Sequence, residues 1–224
     1  MKLVVLVSGR GSNLAALIEA RAAGRLAVDF AAVVSDRADA PALEHARRAG
    51  IPVAAFALRE YPDRLAFDRA LFAAVDALQP ALIVLAGYMR IISDEIVDAH
   101  TGRMINIHPS LLPAYQGLRT HERVLRAGDR VHGASVHFVG RELDGGPVIA
   151  QVRIAVEPGD DAQALAARLL PLEHLLLERT VELAARRRIE PTLFGVALDG
   201  RLLAEPLQLD VQNQVLRTTD GDVV

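Results

Sequence analysis

The run Leu3-Val4-Val5-Leu6-Val7 is apolar at every position and gives way at once to Ser8-Gly9-Arg10-Gly11-Ser12-Asn13. Apolar residues then recur at helical spacing over 14–23. A strand with no polar face must be covered on both sides, which is the habit of parallel sheets packed between helices. The alternation repeats along the first half of the chain. The pattern predicts strands over 28–35, 51–56 and 81–86, and helices over 41–49, 63–78 and 93–99. Such a chain is α/β, with a Rossmann-like, mostly parallel sheet flanked by helices.

A glycine loop between a strand and a helix offers backbone N–H groups and a helix N-terminus to an anion, and a phosphate is its natural guest. Leu14 stands where a dinucleotide fingerprint has its third glycine, and the Lys-Ser/Thr end of a P-loop is absent. The loop therefore reads as a site for one phosphate, with Ser12 and Asn13 also able to cap the helix. Asp36 follows the second strand. It reads as part of a solvated turn in preference to a ribose ligand, given the missing glycine.

The stretch Met104-Ile105-Asn106-Ile107-His108-Pro109-Ser110-Leu111-Leu112-Pro113 carries the chemistry. On a strand of period two, Asn106 and His108 share one face, and Pro109 ends the strand just beyond them. In an open α/β sheet, ligands bind at that end. An amide and an imidazole side by side can donate to an oxygen that gains negative charge, and a histidine can also move a proton. Alternatively, Asn106 caps the next turn and His108 is a half-buried strand-end residue.

The pattern then changes. A helix is predicted over 120–127, and strands over 133–139 and 148–156. Between those strands, Asp144 stands before Gly145-Gly146-Pro147. It is either a plain turn residue or a carboxylate that orients His108 and favours its cation. A long helix over 161–188 carries Leu165, Leu169, Leu172, Leu176 and Val181 at burial spacing. On that helix Glu173 is by default a surface residue, as is Arg64 on the helix over 63–78. The segment 194–203, around Asp199-Gly200, reads as a β-hairpin, and 207–224 as a loosely held tail. The expected organisation is one domain over 1–190, with a hairpin and tail over 191–224 attached to it.

Composition removes several function classes. Net charge is −3 and there is no tryptophan, so neither a basic field nor stacking platforms are available for nucleic acid. Absence of cysteine excludes disulfides, thiolate metal sites and a cysteine nucleophile, and fits a reducing cytoplasm. No apolar run approaches the ~20 residues that span a bilayer. The expectation is a cytoplasmic protein, with no membrane partner and no metal.

Four blocks, 8–13, 85–91, 106–113 and 143–147, occur together in order. With them the chain resembles the folate-dependent glycinamide ribonucleotide transformylases (phosphoribosylglycinamide formyltransferases) of purine synthesis, over roughly residues 1–190. The resemblance implies a formyltransferase-type fold, 10-formyltetrahydrofolate as co-substrate and 5-phosphoribosylglycinamide as acceptor. It implies a catalytic set of Asn106, His108 and Asp144. Gly11, Ser12 and Asn13 would bind the phosphate of the ribonucleotide and Glu173 its ribose. Arg64, Met89, Arg90, Ile91, Ile92, Asn106, Gly140, Arg141, Glu142, Leu143 and Asp144 would line the folate pocket. Leu170 and Pro171 depart from the more polar family pattern, which weakens the case for a second ribose or phosphate contact from that turn.

Two relatives share the Asn-x-His-Pro core. Methionyl-tRNA formyltransferases add a tRNA-gripping barrel, whereas few residues follow the last helix here and they are not basic. Formyltetrahydrofolate hydrolases add an N-terminal domain, whereas the first strand here begins at Leu3. A nucleotide-sensing module without catalysis is the reading from another class. Monomer and homodimer are both compatible with the sequence.

Overall fold

A computed structural model describes residues 1–224 and divides them into two compact units, Met1–Asn106 and Ile107–Val224. The first unit is built on β1 (Lys2–Val7), α1 (Ser12–Ala22), β2 (Asp29–Ser35), α2 (Ala42–Arg48) and β3 (Val53–Ala55). It continues with α3 (Arg64–Ala77), β4 (Leu82–Leu85), α4 (Asp94–Ala99) and the start of β5 (Met104–His108). Its strands lie in the order β3-β2-β1-β4-β5, and every pairing among them is parallel. Leu3 to Leu6 and Ile83 and Val84 have no exposed surface, as all-apolar central strands require. The expected α/β architecture, a mostly parallel sheet flanked by helices, is what the chain forms.

Helix boundaries follow their caps. Asp63 accepts the N–H of Ala66 at the start of α3. Helix α1 begins differently. Its N-cap is Gly11 at φ +76, and no side chain caps it, so Ser12 and Asn13 do not take that role. A Cβ on Gly11 would lie 2.5 Å from the Cβ of Ala42, so both the dihedral and the close approach of α2 demand glycine.

The second unit continues β5 and adds α5 (Thr120–Ala127), β6 (Val131–Phe138), β7 (Val148–Ala155) and α6 (Ala162–Arg186). The long helix starts at an Asp161 cap that accepts the N–H of Ala164, and Pro171 lies within it. Its buried stripe runs Leu165, Leu169, Glu173, Leu176 or Leu177, and Val181, while Leu172 is only half-buried. Glu173 is therefore a core-facing residue, 8% exposed, and not a surface one.

Beyond α6, β8 (Ile189–Thr192), β9 (Gly195–Leu198) and β10 (Arg201–Leu202) form a small antiparallel sheet. Asp199 and Gly200 both take positive φ in its second turn, as a two-residue hairpin requires. The last strands are β11 (Leu207–Asp210) and β12 (Val215–Arg217). Residues 207–224 are thus not the loosely held tail that their sequence suggests. Strand β11 pairs in parallel with β7, and β12 pairs with β11. Leu207 and Leu216 are at most 2% exposed, because alternate residues of these strands carry an apolar face that must be covered.

Candidate active site

Asn106 and His108 leave β5 on one face, since the strand runs unbroken from Met104 to His108. His108 is 6% exposed. Its Nε2–H donates to the carbonyl of Tyr115 at 3.0 Å, and its Nδ1 stands 3.4 Å from Oδ2 of Asp144. A carbonyl only accepts, so the neutral ring carries its proton on Nε2.

The carboxylate of Asp144 is bordered by three groups. Its Oδ2 accepts the N–H of Gly117 at 2.9 Å, and its Oδ1 lies 3.7 Å from Nε2 of His137. His137 in turn donates from Nδ1 to the carbonyl of Phe138 at 2.8 Å, which fixes the ring. The backbone of Asp144 is left-handed, at φ 52. A Cβ on Gly146 would sit 1.9 Å from the Phe138 carbonyl oxygen, and one on Gly145 2.7 Å from the Cβ of Glu142. Asp-Gly-Gly is thus a tight turn, and that turn delivers the carboxylate to His108.

Burial pushes the His108 pKa below the ordinary imidazole value, outweighing the Tyr115 carbonyl and the Asp144 carboxylate, which both raise it. The expectation that Asp144 favours the cation is right in sign, but desolvation dominates and the ring is neutral at neutral pH. For Asp144 the balance falls the other way. Burial raises its pKa, but His137, the Gly117 N–H and His108 together hold it below the ordinary carboxylate value.

The residues after His108 are fixed by one hydroxyl. Ser135 Oγ donates to the Ser110 carbonyl at 2.7 Å and accepts from the Leu112 N–H at 3.1 Å. It also accepts from Nε2 of Gln151 at 2.9 Å, and Gln151 donates to the Leu112 carbonyl as well. The donor and both lone pairs of that serine are used. On α5, His121 Nδ1 meets His132 Nε2 of β6 at 2.9 Å. His132 is 1% exposed, and burial lowers its pKa to about 4.

The remaining predicted residues fall in both units. In the first, Gly11, Ser12 and Asn13 are half-buried at the start of α1, and Asn13 Oδ1 is buried without a partner. Arg64 is exposed on the first turn of α3, beside a cleft that Ser93 and Asp94 also line. Met89 and Ile91 are 70% and 53% exposed, so the loop after β4 presents apolar side chains outward instead of packing them. Ile92 is buried, and the Nε–H of Arg90 donates to Oδ2 of Asp36 at 2.7 Å. Asp36 is 6% exposed, so it is neither the solvated turn residue expected nor free to hold a ribose.

In the second unit, Arg141, Glu142 and Leu143 are exposed on the loop that carries Asp144, and Gly140 is half-buried. Sequence reasoning misses His137. A signal exists for it: on β6 it shares a face with Ser135, and a polar face on a strand otherwise built for burial needs partners.

A model of the formyl transferase family matches residues 1–181. The chain belongs to the formyl transferase family. It is 44% identical to the phosphoribosylglycinamide formyltransferase of Escherichia coli (strain K12) over 203 residues, covering 91% of this chain and 96% of that one. Among solved structures, the phosphoribosylglycinamide formyltransferase of Coxiella burnetii superposes with a TM-score of 0.87 at 45% identity, over 91% of this chain and 96% of the other. A formyltetrahydrofolate deformylase from Pseudomonas putida KT2440 is more distant, at 31% identity and a TM-score of 0.78, and the match spans 88% of this chain and 69% of that one. This formyl transferase has no helix long and apolar enough to cross a membrane. Nor does it hold a group of three or more His, Cys, Asp or Glu residues arranged for a metal ion.

Proposed function

We propose that this enzyme transfers the formyl group of 10-formyltetrahydrofolate to the amine of 5-phosphoribosylglycinamide, a step of purine biosynthesis. The observation that carries the reading is the pairing of buried His108, at the end of β5, with the half-buried Asp144, in a chain so similar to enzymes named for this reaction. The amine nitrogen attacks the formyl carbon, the bond from that carbon to the folate nitrogen breaks, and a proton passes from the amine to the folate nitrogen. The formyl oxygen is negative in between.

Asn106 and His108 donate to that oxygen. His108 does so with its Nε2–H, exchanging the Tyr115 carbonyl for the formyl oxygen as acceptor. As charge grows on the oxygen, its field adds to that of Asp144 and offsets burial, so the ring takes up the proton that leaves the amine during the reaction and gives it back to the folate nitrogen. Asp144, as a carboxylate, supports the transient cation. No further group is needed to hold the negative oxygen, and losing one such donor costs about 10²–10³ in rate.

The binding roles divide by chemistry. Gly11, Ser12 and Asn13 turn backbone N–H groups and a polar side chain toward the ribonucleotide phosphate, and Glu173 accepts from ribose hydroxyls. For the donor, the first unit offers the apolar side chains of Met89 and Ile91, the backbone of Arg90 and Ile92, and Asn106; the second offers Leu143 with Gly140, Arg141, Glu142 and Asp144. Arg64 supplies a guanidinium for the donor's carboxylates.

The test is release of tetrahydrofolate from the formyl donor, followed by absorbance, with and without 5-phosphoribosylglycinamide. Release that requires the ribonucleotide is expected. Equal release in its absence would replace transfer by hydrolysis, the activity for which the Pseudomonas putida relative is named.

A further inference from the structure

The loop between β4 and α4 alternates inward and outward along its length. Tyr88 and Ile92 are buried, Met89 and Ile91 are exposed, and Arg90 between them turns inward. Both ends of the loop are tied. Ser8 donates its N–H to the Gly87 carbonyl at 3.1 Å, and its Oγ accepts the Met89 N–H at 2.9 Å. Ser93 donates from both its N–H and its hydroxyl to Oδ2 of Asp68, at 2.8 and 2.6 Å. Only Arg90 anchors the middle.

Its anchor is Asp36, which directly follows β2. The side chain of Asp36 is 5% exposed, Oδ2 accepts from Arg90 Nε at 2.7 Å, and Oδ1 has no hydrogen-bond partner. Arg90 is therefore the hydrogen-bonding counter-ion of a buried carboxylate. Such a pair does not open cheaply, because opening it strands a charge away from water. The guanidinium also lies 5.5 Å over the ring of Phe67, which has no exposed surface.

We propose that Asp36 is a positioning residue for the one-carbon donor: by holding Arg90 inward, it sets Met89 and Ile91 outward as the apolar face on which the donor lies. The proposal rests on the reading that this loop binds the formyl donor. Asp36 touches neither substrate. It acts through Arg90, and it does not act on the ribonucleotide.

The test is a double-mutant cycle on Asp36→Asn and Arg90→Gln, with KM for each substrate and kcat measured separately. Asparagine keeps the shape of aspartate and removes the charge, so a fold that survives the change is expected. Turning the charge-assisted hydrogen bond into a neutral one, which the asparagine oxygen still accepts, should raise the donor KM by roughly five- to tenfold in Asp36→Asn, with the ribonucleotide KM and kcat little changed. The double variant should be no worse than Arg90→Gln alone. Additive effects, an unchanged donor KM, or a rise in the ribonucleotide KM instead would each overturn the proposal. A generally damaged fold would lower kcat without separating the two KM values.

Amide exchange supplies a readout that does not depend on turnover. Exchange at Met89, Arg90 and Ile91 should be faster in Asp36→Asn than in the unaltered chain, while β1 and β4 stay protected. Unchanged exchange would overturn the positioning role of Asp36. If the unaltered chain gave no ribonucleotide-dependent release, the transferase reading would fail. The exchange measurement would still decide whether Asp36 sets the loop.

Discussion

Lowering the pH should weaken this fold through His132, and the size of the effect follows from its surroundings. The ring is 1% exposed and has a pKa of about 4 in the folded chain, against 6.5 for an ordinary imidazole. Between those values the unfolded chain binds the proton and the folded chain does not. Stability is therefore complete above about pH 6.5 and is lost as the pH falls toward about 4. One proton on one site gives a loss of about 2 kcal/mol between about pH 8 and about pH 5, approaching about 3 kcal/mol at more acid pH. Urea unfolding at the two pH values measures the loss directly. Burial also holds His108 and His121 below the ordinary imidazole value, so the decisive quantity is the difference from His132→Gln, which cannot titrate. The unaltered chain should lose about 2 kcal/mol more than the variant. Equal losses would mean that His132 is charged in the native state or is reached by water, and the reasoning from its burial would fail.

Three further outcomes are expected. Gly11→Ala forces a side chain into a left-handed cap 2.5 Å from Ala42, so it should destabilise the fold by about 1–2 kcal/mol and raise the ribonucleotide KM more than the donor KM in steady-state kinetics. The reverse ranking would misplace the phosphate. Asp144→Asn removes a charge that raises the His108 pKa, so kcat should fall and the pH–rate limb belonging to His108 should move toward acid; an unmoved limb would take Asp144 out of the set. Ser135→Ala leaves the Leu112 N–H and the Gln151 amide short of an acceptor in a buried network, which should cost about 1–3 kcal/mol by denaturant unfolding. A cost near zero would mean that the segment after His108 is held some other way.

Much of the fold and of the candidate site is legible in the amino-acid sequence itself. The all-apolar β1, the period of two through Asn106 and His108, and the stop at Pro109 depend only on local rules. The Asp-Gly-Gly turn is legible as a turn, but that it brings Asp144 to His108 depends on β6 and β7 pairing. Glu173 passes for a surface residue although it lies four residues after Leu169, on the same stripe as the leucines. Asp36 is not legible at all from its neighbours in sequence. A charged residue among Ser, Arg and Ala looks solvated, and only the return of the chain at Arg90 supplies the partner that lets it be buried. The tail misleads because its strands are short and its apolar residues few, so nothing local reports the sheet that waits for them.

That sheet has a consequence in time. Strand β7 is made well before β11, the neighbour that pairs with it at Leu207 and Gln208. While the ribosome adds α6 and the small antiparallel sheet, one side of β7 has open backbone donors and acceptors that another nascent chain could capture. A cell making this enzyme quickly therefore has a window of vulnerability that closes only when the final strands arrive. Slower translation or a waiting chaperone would protect the yield without changing the finished molecule.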